Sequence, residues 1–99
     1  MTEQRKRLRV QLHEAVLRLG YSPKTEKSYA HWIRRYIFFH HKAHPADMGE
    51  QHIEAFLTHL AVRRRVSPST QNQALNALLF LYKRVLRKEI GLIENAVRA

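Results

Sequence analysis

The sequence has no cysteine, which excludes a disulfide scaffold and any thiolate metal site. Glycine and proline number three each, too few for a turn-rich β fold and well suited to long helices. No apolar run reaches the length of a membrane span. The basic start, Met1-Thr2-Glu3-Gln4-Arg5-Lys6-Arg7, is not followed by the apolar core of a secretory signal. Acid is scarce as well: 8 Asp and Glu stand against 18 Lys and Arg, a formal net charge of +10 on 99 residues. Such an excess points to a polyanion as partner, and nucleic acid is the commonest. What is present in quantity is apolar: 44 % of the chain, enough for one small core and inconsistent with wholesale disorder. The expectation is a soluble, intracellular, strongly basic all-α domain.

Periodicity divides the chain into four helical segments, over about 4–19, 23–42, 48–64 and 68–87. In the first, Leu8, Leu12, Ala15, Val16 and Leu19 recur on one face, and Gly20 follows where a C-terminal cap belongs. Arg5, Lys6, Arg7 and Arg9 are either a solvated helix start or phosphate contacts. Ser22-Pro23 opens the second segment, because serine caps the helix and proline lacks the N–H that would be orphaned at its first position. His44-Pro45 closes it. Asp47 and Glu50 have capping-box spacing ahead of Ile53, Phe56, Leu57 and Leu60. Ser67-Pro68 repeats the serine-proline start, and Leu75, Leu78, Leu79, Tyr82 and Leu86 form the apolar side of the fourth segment. Short connections make sequence neighbours pack together as a compact four-helix bundle. Residues 1–89 read as that domain, and the aperiodic residues 90–99 read as the start of a connection.

The second segment divides by side. Lys24, Lys27, Ser28, His31, Arg34, Arg35 and Lys42 fall within an arc of about 120° on an ideal wheel. Tyr29, Ile33, Tyr36 and Ile37 lie opposite, with Trp32 and Phe39 at a border. A solvated face normally interleaves acids with bases, yet only Glu26 interrupts here, and it projects away from the stripe. Like charges three and four residues apart cost a few tenths of a kcal/mol per pair, so the stripe reads as a phosphate track. The fourth segment starts Ser67-Pro68-Ser69-Thr70-Gln71-Asn72-Gln73 and continues to Asn76. A helix start offers free N–H groups and partial positive charge to a phosphate, while Asn and Gln amides can read adenine edges.

Other motifs carry no chemistry. His31-Trp32-Ile33-Arg34 matches a His-x-x-Arg strand-transfer pattern at two positions, with no nucleophile beside it. His40, His41 and His44 resemble a metal cluster, but Pro45 breaks the helix there and Asp47 is the one nearby carboxylate, so a polar corner is expected and no metal or cofactor. Paired carboxylates, a phosphate-cradling glycine loop and a hydrolase triad are missing, so this chain is not expected to be an enzyme. An alternative to nucleic-acid binding is a basic protein-interaction module docking through Ile90, Leu92, Ile93 and Val97.

Residues Ser22–Tyr29, His31–His40, His44–Gly49 and above all Ser67–Leu86 resemble the start of integron integrases, which are tyrosine recombinases of the phage-integrase superfamily. The resemblance covers residues 8–98 and implies a SAM-like four-helix core-binding domain, whose second and fourth helices face DNA while a catalytic domain clamps the opposite side. It implies DNA at a recombination site as partner, no membrane and a cytoplasmic location. It further implies a monomer for this chain alone and a tetramer of the whole recombinase on synapsed DNA. The family's catalytic Arg, Lys, His and Tyr residues belong to the catalytic domain, and none maps onto this chain. By position, Lys24, Thr25, Lys27, Ser28 and His31 face DNA from the second helix, with Arg34 and Arg35 on the same stripe. Ser69, Thr70, Gln71, Asn72 and Gln73 do so from the fourth, with Asn76 one turn on. Where many chromosome-resolving relatives carry arginine, this sequence has Gln73, which trades charge for hydrogen bonding.

Overall fold

The computed structural model describes residues 7–99. The expected helical start at Gln4 and the cations Arg5 and Lys6 lie outside the described residues. Helix α1 spans Leu8–Leu19 and buries the line Leu12, Ala15 and Val16. Gly20 ends it at φ 73°, with its N–H on Leu17 O and the next N–H on Val16 O. That left-handed conformation costs a residue with a Cβ about 1–2 kcal/mol, which is why glycine stands there.

Helix α2 spans Pro23–Phe39, and Ser22 Oγ caps it by accepting the Thr25 N–H at 3.1 Å. It stops short of the expected His41–Lys42. His41 and Lys42 take φ of 59° and 66°, and the Lys42 N–H closes on Ile37 O, so the chain reverses ahead of Pro45. Lys42 therefore leaves the helical stripe, and its ammonium sits 5.6 Å from the Phe38 ring centre. Pro45–Asp47 form a 3-10 turn. The Asp47–Glu50 capping box does not form, because Asp47 is consumed by that turn and buried Met48 needs extended backbone to reach the core. Helix α3, Glu50–Val62, starts two residues later than expected, with Gly49 at its cap and the His52 Nδ1 accepting the Gly49 N–H.

Helix α4 spans Pro68–Phe80, and Ser67 repeats the Ser22 cap on the Thr70 N–H. Regular helix ends earlier than the expected Arg87: Leu81–Val85 continue as one π turn, whose wider winding leaves both Leu81 and Tyr82 fully buried. The described residues are all-α, with no strand. Helix α4 is the centre of the bundle, packed most extensively on α2 and also on α3, while α1 covers α2 and the π turn. Two tyrosines lock the core: Tyr36 O–H donates to Tyr82 Oη at 2.8 Å, and Tyr82 O–H donates to Pro45 O at 2.9 Å. Residues 90–99 carry no helix and lie along α3, with Ile90, Ile93 and Ala96 against the core.

Candidate nucleic-acid interface

The apolar side of α2 is spent inside: Trp32, Ile33 and Tyr36 are buried, and Phe39 stacks near Phe56. What that leaves outside is Lys24, Lys27, Ser28, His31 and Arg34, all exposed, with Thr25 and Arg35 half-buried. Arg35 is held by its neighbour, its guanidinium 5.0 Å from the Trp32 ring centre. The His31 ring meets the same indole edge-on. Glu26 turns toward α1, where its carboxylate lies 2.9 Å from His13 Nδ1 and 3.5 Å from Arg9 Nη1. The acid is thereby withdrawn from the stripe, which leaves no carboxylate among the exposed residues of α2. Arg34 stands at the α1 edge of that face, where it lines a groove with Arg9 and Phe38.

The two helix starts share one construction. At each, the Thr N–H donates to Ser Oγ, and the Ser O–H donates to Thr Oγ1, at 3.1 Å for Ser22–Thr25 and 3.0 Å for Ser67–Thr70. Each serine hydroxyl thus both accepts and donates, and each threonine hydroxyl sits beside the partly positive helix end. On α4, Ser69, Asn72, Gln73 and Asn76 are exposed and Thr70 is half-buried. Gln73 is in line with Ala77 and Phe80, and Phe80 packs on Tyr21 and Tyr29, so Gln73 marks the α2 edge of this surface. Asn72 marks the other edge, in a cleft shared with Ile93, Ala96 and Arg98.

Gln71 departs from the expectation. It is 5 % exposed, its Nε2 donates to Leu57 O at 3.0 Å and to Val97 O at 2.8 Å, and its Oε1 accepts the Ala99 N–H at 3.0 Å. Its amide is fully used inside the molecule and is not offered to solvent. The sequence carried the signal: Gln71 precedes Ala74 by three residues and Leu78 by seven, which is the core line of α4.

A second group of cations was not legible in sequence. Arg18, Lys83, Arg84, Arg87 and Lys88 line one open cleft where the ends of α1 and the π turn meet, with Glu89 among them. Two of these are structural: Arg18 Nη2 donates to Arg84 O, and Lys88 Nζ donates to Ala46 O and Met48 O. The histidines form a polar corner. His40 Nε2–H donates to His52 O at 2.8 Å, and burial holds its pKa below the ordinary value. His44 Nδ1 accepts the Ala46 N–H, and no group of three metal-ligating side chains occurs among the described residues. The apolar set suggested for protein docking is split: Ile90 and Ile93 pack on the core, while Leu92 and Val97 are exposed.

Known proteins resemble this chain in sequence. The family described as phage integrase, N-terminal SAM-like domain, matches residues 8–92. An integrase/recombinase of Escherichia coli and one of Pseudomonas aeruginosa are each 47 % identical over 88 residues, which cover 89 % of this chain and 26 % of theirs. The chain thus spans about a quarter of the length of these curated relatives. No helix among the described residues is long and apolar enough to cross a membrane.

Proposed function

The chain belongs to the phage integrase N-terminal SAM-like domain family, and on that premise we propose that it grips recombination-site DNA for a site-specific tyrosine recombinase of the integron type. The observation that carries this reading is the segregation of charge on α2. Its exposed face presents Lys24, Lys27, Arg34 and half-buried Arg35 without an acid, because Glu26 is tied to α1. Phosphate neutralisation by Lys and Arg supplies most of the affinity of such a surface. Thr25, Ser28 and His31 add donors on the same helix. Ser69, Thr70, Asn72, Gln73 and Asn76 present hydroxyls and amides on α4, the helix packed most extensively on α2. Gln71 takes no part in this surface. Strand cleavage is assigned to other parts of the recombinase, and this chain supplies grip and positioning opposite them.

The test is a salt titration of the chain on labelled duplex. With about six phosphates neutralised, log K falls with log salt at a slope near −5. Lys27→Glu and Arg34→Glu weaken binding to every duplex, whereas Asn72→Ala changes the preference among sequences. Unchanged affinity in both charge reversals overturns the assignment.

A further inference from the structure

We propose that residues 90–99 are a strap that carries Arg98 onto the exposed surface of α4, where Arg98 contacts a phosphate of the bound nucleic acid; the inference rests on the DNA-binding reading above. A segment without helix or strand has no internal acceptors for its N–H groups and must find them elsewhere. Here α3 supplies them in register. Glu50 Oε2 accepts the Gly91 N–H at 2.6 Å, Glu54 Oε2 accepts those of Glu94 and Asn95 at 3.1 Å, and Thr58 Oγ1 accepts that of Val97 at 3.0 Å. Positions 50, 54 and 58 follow each other at four-residue intervals and so form one line along the helix. Two carboxylates of an acid-poor chain thus hold backbone N–H groups of the strap.

The far end of the strap is fixed by α4. Gln71 reaches Val97 O with its Nε2 and the Ala99 N–H with its Oε1, so one buried amide brackets Arg98 on both sides. The bracketed Arg98 lines the same cleft as Asn72 and Leu75, on the edge of α4 away from α2. Its side chain is exposed. This matters because the exposed residues of α4 in that stretch, Ser69, Asn72, Gln73 and Asn76, include no charge at all. Amides and hydroxyls orient a duplex but release no counterions, and a single arginine beside Asn72 supplies the missing cation.

The test measures binding of a random-sequence duplex by the 99-residue chain across a salt series, with Lys27→Ala alongside. Neutralising one phosphate contributes about 0.9 to the slope, which at ~0.1 M salt amounts to about eightfold in affinity. Arg98→Ala is expected to show both losses, and Arg98→Lys to restore them. Thr58→Val removes an acceptor of the strap while keeping the shape of the side chain. It is expected to speed hydrogen exchange at the Val97 amide and to reproduce part of the Arg98→Ala loss. If Lys27→Ala lowers the slope while Arg98→Ala changes neither slope nor affinity, the strap inference is overturned and the DNA-binding reading stands. If the chain fails to bind duplex even at low ionic strength, the DNA-binding reading falls and takes the role of Arg98 with it.

Discussion

Replacing Gln71 with leucine separates two incompatible accounts of one residue. If the amide faced DNA, the substitution would weaken binding and leave stability alone. The structure instead gives the amide three internal bonds, to Leu57 O, Val97 O and the Ala99 N–H, at 3.0, 2.8 and 3.0 Å. At about 1 kcal/mol net per bond the upper figure is about 3 kcal/mol. The two bonds to the strap involve partly exposed groups that water can satisfy, so we expect a loss of about 2 kcal/mol. For a domain of this size that lowers the melting temperature by roughly 8–16 °C. The assay is thermal unfolding followed by far-ultraviolet circular dichroism, with Gln73→Leu as the exposed control, expected within about 0.5 kcal/mol of the parent. Hydrogen exchange at Ala99 should accelerate in Gln71→Leu. An unchanged melting temperature combined with weaker DNA binding, measured well below the transition, would refute the reasoning.

The buried tyrosine pair should respond asymmetrically. Tyr82→Phe strands both the Tyr36 hydroxyl and Pro45 O and should cost about 2–3 kcal/mol, whereas Tyr36→Phe removes one donor and should cost about 1 kcal/mol; urea unfolding of both variants ranks them. Burial holds His40 below its ordinary 6.5, so the unfolded chain takes up a proton before the folded one does. Stability from this group is present above 6.5 and is lost as pH falls from there through the folded value. His40→Gln should flatten that slope in a pH series of denaturant midpoints, and an unchanged slope would move the effect to another group. The Glu50 carboxyl is held below its ordinary 4.5 chiefly by the Gly91 N–H, so this anchor of the strap is intact above 4.5 and is lost as pH falls through the lower folded value. Gly91 exchange measured on either side of that window, corrected for intrinsic rates, reports it. Ser67→Ala removes the cap on Thr70 and should cost about 1 kcal/mol in thermal unfolding, with Ser22→Ala similar.

Much of this architecture is local physics, and the sequence determined it alone. Gly20 had to end α1 because a left-handed residue without a Cβ closes the last turn at least cost. Ser-Pro at 22 and 67 had to start α2 and α4, because the cap and the missing N–H act within one turn. The α2 stripe was legible for the same reason: helical spacing fixes which side chains share a face before any partner is known. Tertiary structure decided what local rules leave open. Gln71 became a core amide because the strap and α3 converge on it from 26 and 14 residues away. Lys42 lost its place on the stripe to the chain reversal at His41, and the Asp47–Glu50 box gave way to the burial of Met48. Residues 90–99 show no period because their register is set by acceptors on another helix, at Glu50, Glu54 and Thr58. Hydrogen bonds that join distant segments leave no spacing in the chain itself, so such contacts appear only once the bundle has closed.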